Sequence, residues 1–205
     1  MKRIWLLAVV VIFLAAGLPA LADDVTDAIG EALSQYNQGD YTGAAGTLDF
    51  AAQLIRQKKG GELEQALPGP LPGWQAQDAS SQAASHAFLG GAVSAARNYS
   101  KEVANDEGYD EAPSVTVQIV TDSPALQGMM MLLSNPMFAT ADGGKLEQIA
   151  GQRAVVKYNP SDKSGEISMV VNNRFLVSVQ GNYVTRDELK AYAAAVDFKR
   201  LASIP

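Results

Sequence analysis

The sequence predicts an α+β protein, an antiparallel β-sheet with flanking helices, preceded by an N-terminal helical hairpin. Three observations predict it. Apolar residues recur at helical spacing from Val25 to Ile55. After the Pro-rich stretch 67–74 the apolar period drops to two. The strands so marked are joined by short polar loops that suit hairpins, whereas a parallel sheet needs long crossovers.

The chain opens with Lys2 and Arg3 ahead of an apolar run over residues 4–16, followed by Gly17, Pro19 and Ala20-Leu21-Ala22. This is the pattern of a secretory signal peptide, with cleavage expected after Ala22. Its 13 apolar residues fall short of the roughly 20 that a spanning helix needs. The expected mature form, 23–205, is read as periplasmic or secreted.

Residues 24–59 read as the hairpin, within an N-terminal segment 23–66. Val25, Ile29, Ala32, Leu33 and Tyr36 form the first stripe, Gly39 ends that helix and Asp40 caps the next. Ala44, Ala45, Leu48, Ala52 and Ile55 carry the second stripe, which Gly60-Gly61 is expected to stop. The segment LPGPLPGW, 67–74, is a stiff connector at the expected domain boundary, with Trp74 as the first core anchor of residues 75–205.

Val93, Ala95, Arg97 and Tyr99 mark one strand, and SVTVQIVT (114–121) marks the next by alternating Val115, Val117 and Ile119 with Thr116, Gln118 and Val120. Residues 145–149 and 153–158 flank Ala150-Gly151-Gln152, read as a three-residue hairpin loop. Residues 166–171 and 174–180 flank Asn172-Asn173, a pair that tolerates the positive φ of a type I′ turn. In VTRDEL (184–189), Thr185 and Glu188 form a capping box, with Val184 and Leu189 as a hydrophobic staple. Leu189, Tyr192, Ala193 and Val196 then give that last helix its sheet-facing stripe.

The order LPGW, SVTVQIVTDSP, KLEQIAGQRAVVKY, GEISMVVNNRFLVSVQGN, VTRDELKAYAAAVDFKRL resembles an uncharacterised family of small secreted proteobacterial proteins. More distantly it is similar to the PsbP-like fold over residues 67–201. That resemblance implies an antiparallel sheet with flanking helices and a non-enzymatic accessory, assembly or binding role. Residues 24–59 resemble a single tetratricopeptide-like hairpin through Ala32, Tyr36, Gly39-Asp40-Tyr41, Ala44-Ala45, Leu48 and Ala52. One such unit lacks the neighbours that bury its faces, so it is expected to pack on the rest of the chain or on a partner.

Composition narrows the chemistry. The expected mature chain has 14 Lys+Arg against 22 Asp+Glu, a net charge of −8. Such a balance disfavours nucleic acid and anionic lipid. The chain has no cysteine, which excludes thiol catalysis, thiolate metal sites and disulfides. His86 is the single histidine, in no hydrolase motif, and reads as a surface residue. Asp106, Glu107, Asp110 and Glu111 lack the spacing of a calcium loop. In Asp142-Gly143-Gly144-Lys145 the Ser or Thr of a phosphate loop is replaced by Leu146, so a polar turn is expected. Asp187 and Glu188 sit where acids complement a helix dipole.

The remaining feature is GMMMLLSNPMF, 128–138, which holds four of six methionines. Consecutive methionines diverge by about 100 degrees on a helix, so they cannot converge on Cu(I), and no metal or other cofactor is expected. A helix from Ser123, with Pro124 at its first turn, would bury Leu126, Met129, Met130 and Leu133 along one side. Met131, Leu132, Met137 and Phe138 fall off that stripe and are the candidate binding residues, for an envelope protein or a small apolar ligand. The expectation is a non-enzymatic binding or accessory protein of the cell envelope, without stable membrane insertion. The alternatives are an enzyme using only carboxylates, lysine or tyrosine, and a structural protein that self-associates through the hairpin.

Overall fold

The computed structural model describes residues 23–83, 92–101, 112–134, 137 and 143–204. The expected signal segment, His86 and the acidic stretch 105–111 lie outside these. The fold is α+β: an N-terminal helix pair, then an antiparallel eight-stranded sheet with flanking C-terminal helices. The chain forms two compact units that divide between Leu54 and Ile55, within the second helix.

In the first unit, α1 (Asp24–Asn37) is capped by Asp23, whose carboxylate accepts from Thr26 N at 3.0 Å. Gly39, at φ +85°, supplies the left-handed residue that turns the chain after α1. Asp40 then caps α2 (Tyr41–Glu64), its Oδ1 accepting from Gly43 N at 2.9 Å. The two helices meet along small residues, Ala28 and Ala32 against Ala44 and Ala51, all buried. Thr47 Oγ1 donates to Gln35 Oε1 across this seam at 2.8 Å.

The second unit opens with the last turns of α2. Gly60-Gly61 does not end the helix as expected; α2 continues to Glu64. Gly60 is buried, and a Cβ there would meet Ser81 Oγ at 2.7 Å, so glycine at this position lets the helix lie close against a strand. The connector after α2 is part of the core: Leu67, Pro68 and Trp74 are buried. The Pro68 carbonyl accepts from Tyr99 Oη at 2.6 Å and from Arg97 Nη1 at 3.1 Å, and Trp74 sits edge-on to Tyr192 with centroids 5.2 Å apart.

The strands are β1 (Gln75–Ala76), β2 (Ser80–Ala83), β3 (Val93–Ser100), β4 (Ser114–Thr121), β5 (Lys145–Ile149), β6 (Gln152–Asn159), β7 (Ser164–Val171) and β8 (Phe175–Asn182). Their order across the sheet is β1-β3-β4-β8-β7-β6-β5, with β2 also pairing β3, and every pairing is antiparallel. Ile149 pairs with Gln152, so the first predicted hairpin has a two-residue turn, Ala150-Gly151, and Gln152 belongs to the strand. Both turn residues have positive φ, 46° and 81°, as a type I′ turn demands. Asn172 and Asn173 likewise lie at 53° and 54°, closed by Arg174 N donating to Val171 O at 3.1 Å.

One face of the sheet carries Val115, Val117, Ile119, Ala154, Val156, Ile167, Met169, Val177 and Val179, all buried. It is covered by α4 (Arg186–Ala194), which buries Leu189, Tyr192 and Ala193, and by α5 (Phe198–Ser203), which buries Leu201. The capping box is present as predicted: Thr185 Oγ1 accepts from Glu188 N, and Glu188 Oε2 accepts from Thr185 N at 2.9 Å.

Candidate functional site

The methionine segment forms α3 (Ala125–Ser134), with Ser123 O accepting from Leu126 N at 3.1 Å and Ser123 Oγ from Ala125 N at 3.3 Å. Helical spacing dictates its burial. Leu133 is buried in a small second cluster with Val155, against which Met129, Leu146 and Val170 pack, on the sheet face opposite α4. Met131 lies about 200 degrees from both Met129 and Leu133 around the helix, and it is 66% exposed. Met137 is 80% exposed. The side chain of Leu132 and all of Phe138 lie outside the described residues. Two of the four candidate side chains are therefore placed at the surface.

Beside α3, the same sheet face carries a polar row in strict register: Lys157, Glu166, Gln180, Thr116 and Asn98 on neighbouring strands. Lys157, Glu166 and Gln180 of this row, with the turn at Gly143, border a cleft of about 510 Å³, which also takes in Tyr158, Ser164 and Asn182. Glu166 is the one carboxylate among its described lining residues, and its Oε1 accepts from Ser168 Oγ at 3.0 Å and Ser178 Oγ at 3.3 Å. Carboxylate-only hydrolysis needs two acids facing one another, and the described lining residues hold one.

Glu188, Glu147 and Tyr99 are engaged in holding the fold. Burial pushes the Glu188 carboxyl up, but hydrogen bonds from Thr185 and from Lys101 at 3.2 Å outweigh it and hold the group below its ordinary value. Glu147 is held low first by its hydrogen bond from Lys190, at 2.5 Å, and further by Arg186, which it also pairs. Burial raises Tyr99 to about 12 despite the neighbouring Arg97 guanidinium. Gly143, at φ +74°, lies in a bend that leads through Gly144 into β5, as the polar-turn reading expected; Asp142 lies outside the described residues. Among the described residues, no group of three or more His, Asp or Glu side chains is arranged to hold a metal. No helix among them is long and apolar enough to cross a membrane.

Among the described residues, the largest set of uncovered apolar side chains is on the first unit. Ile29, Leu33 and Tyr36 follow at i, i+4 and i+7 on one flank of the alanine seam of α1, and Tyr41 and Leu48 at i and i+7 on one flank of the seam of α2. The Tyr36 and Tyr41 rings lie 5.5 Å apart, which puts the two flanks on the same side of the pair. All five residues are between 45% and 66% exposed. Sequence spacing revealed the stripe, but not that the fully buried seam residues would be alanines, leaving the larger apolar residues outside it. Phe50, 54% exposed, lies on the opposite flank of α2. Comparison with protein-family models, with curated proteins and with solved structures returns no match to the chain.

Proposed function

We propose that this chain is a secreted, periplasmic, non-enzymatic binding or accessory protein of the bacterial envelope, and that the helix pair supplies its main contact surface. The carrying observation is the run Ile29, Leu33, Tyr36, Tyr41 and Leu48, five large apolar side chains on one side of a pair whose fully buried seam residues are alanines. Exposed apolar groups this closely grouped mark interaction surfaces, and tyrosine is among the residues enriched in them. The N-terminal pattern of Lys2-Arg3, apolar run and Ala20-Leu21-Ala22 supports export. An antiparallel sheet flanked by helices is also what a PsbP-like resemblance implies, and that group's accessory roles support the reading. Met131 and Met137 offer a second, smaller contact on α3.

The test is quantitative affinity capture from envelope extract with residues 23–205 as bait. Comparison of wild type with the Leu33→Ser/Tyr41→Ser variant should show partners lost by the variant at unchanged circular dichroism. An identical partner set would overturn the assignment of the surface. A Met131→Ser bait measures the share carried by α3.

A further inference from the structure

We infer that the cleft on the sheet face opposite α4 binds an uncharged oligosaccharide, at a site separate from the helix-pair surface. Strand register defines the chemistry of this face. On β4, β7 and β8 it has twelve positions, and Glu166 is the one charged residue among them. About a quarter to a third of an ordinary protein surface is charged. On one side of the row of Glu166, Gln180 and Thr116, Asn182 pairs with Ser114; on the other, Ser168, Ser178 and Gln118 stand opposite one another. Val170, Leu176 and Val120 form the apolar row at the α3 end. The rest of the face is a continuous array of hydroxyls and carboxamides, and the cleft of about 510 Å³ opens where β6, β7 and β8 carry it.

The groups that the lining leaves uncommitted select the ligand. Glu166 Oε1 is held by Ser178 Oγ and by Ser168 Oγ, itself on a buried residue, while Glu166 Oε2 accepts no hydrogen bond among the described residues. The side chains of Ser164, Gln180 and Asn182 likewise make none among the described residues. Asn159, by contrast, is committed to the β6–β7 turn, where it accepts from Ser161 N at 3.0 Å and donates to Asp162 Oδ2 at 2.5 Å. The cleft thus offers a carboxylate oxygen on a fixed mount, two carboxamides that both donate and accept, and a hydroxyl. Sugar rings present neighbouring hydroxyls with the same dual capacity. Other ligand classes fit less well. Tyr158 is the one large apolar side chain of the described lining, and its hydroxyl is bound to Val184 O at 2.8 Å, so an apolar ligand finds little to cover it. Lys157 stands opposite Glu166 in register, and the described lining residues sum to zero charge, so neither a cation nor an anion is favoured. A peptide strand is gripped through a sheet edge, whereas the backbone groups of β6, β7 and β8 in the cleft floor are already paired in the ladder.

The experiment follows backbone amide shifts of residues 23–205 by NMR. Cellotriose, maltotriose and N-acetylated chitotriose are the neutral probes, and deacetylated chitotriose and trigalacturonate are the cationic and anionic ones. At least one neutral probe is expected to give saturable shifts at Ser164, Glu166, Gln180 and Asn182, with affinity about tenfold or more above either charged probe. Glu166→Gln should weaken that binding about tenfold, the worth of one hydrogen bond to a charged acceptor. Gln180→Ala/Asn182→Ala alters two exposed side chains and should abolish it with the fold intact by circular dichroism. Leu33→Ser/Tyr41→Ser should bind the same sugar as wild type does, so failure of the helix-pair surface is distinguishable from failure of this site. No saturable shift at the cleft with any of the three neutral probes would overturn the inference. So would binding that survives Gln180→Ala/Asn182→Ala, or a preference for either charged probe.

Discussion

The shared acceptor at Pro68 yields a prediction whose size follows from geometry. Tyr99 is 1% exposed, and its hydroxyl donates to Pro68 O at 2.6 Å, while Arg97 Nη1 donates to the same oxygen at 3.1 Å. In Tyr99→Phe the carbonyl keeps Arg97, so no acceptor is orphaned and the loss should be about 1 kcal/mol, the net value of one hydrogen bond. Arg97→Met leaves Tyr99 in place and should cost about the same for that bond. The double variant strips both donors from the oxygen of a buried proline, adding the roughly 1–3 kcal/mol of an unsatisfied buried acceptor. The cycle should therefore show a coupling of about 1 kcal/mol or more, against an additivity error of about 0.3–0.5 kcal/mol. Urea unfolding monitored by tryptophan fluorescence measures it, and unchanged denaturant slopes would confirm that the unfolded reference has not moved. Additive single effects would refute the shared-acceptor reasoning. The same tyrosine titrates at about 12, above its unfolded value of 10.0. A raised folded pKa adds stability that is complete below pH 10.0 and lost as pH climbs towards about 12. Tyr99→Phe should flatten that alkaline loss, with Tyr192, also raised by burial, retaining part of it.

Glu147→Gln should lower the melting temperature at neutral pH and have less effect in acid. The folded carboxyl titrates below its ordinary 4.5, so its contribution is present above that pH and lost as pH falls through the folded value; a difference that grows in acid would contradict the pairing with Lys190 and Arg186. A Cβ at Gly181 would come within 2.6 Å of Val184 Cγ2 and 2.8 Å of Leu189 Cδ1, so Gly181→Ala should cost about 1–3 kcal/mol by overpacking under α4. Gly165→Ala should cost more, because its Cβ meets the backbone oxygen of Lys157 at 2.5 Å and a main chain yields less than a side chain; denaturant midpoints of the two variants check the order. Thr121 Oγ1 is buried with no hydrogen-bond partner among the described residues, so Thr121→Val should hold or raise the melting temperature, worth up to about 1–2 kcal/mol.

Local signals translated most directly into structure. The capping box at Thr185 and Glu188, the Asp40 cap and the paired asparagines of the β7–β8 turn each act over a few residues, and each is present with its expected partners. Alternation in 93–99 and 114–121 marked the two strands because their burial follows the pleat. The strands β1 and β2 went unread, since Gln75-Ala76 and Ser80–Ala83 are short and carry no apolar alternation. Gly60-Gly61 misled because a glycine pair ends a helix in isolation, whereas here close approach to Ser81 requires one. The candidate site was legible in part. Helical angles alone separate exposed Met131 from buried Leu133. The hairpin's surface required knowing that alanines occupy the seam, a tertiary fact that two amphipathic stripes do not contain. The polar row from Lys157 to Asn98 depends on register across five strands and has no contiguous sequence signature.

The strand order has a kinetic consequence. β3–β4, β5–β6, β6–β7 and β7–β8 are each joined between sequence neighbours, whereas β4 meets β8 across more than 50 intervening residues, with Val117 opposite Val179 and Ile119 opposite Val177. Hairpins close in roughly 1–10 μs, while joining distant strands carries the full entropy of closing the chain between them. The two meanders can each zip early, and the molecule waits on the β4–β8 join. Shortening a turn within either meander should therefore leave the refolding rate nearly unchanged, whereas weakening Val117 or Val179 should slow refolding itself.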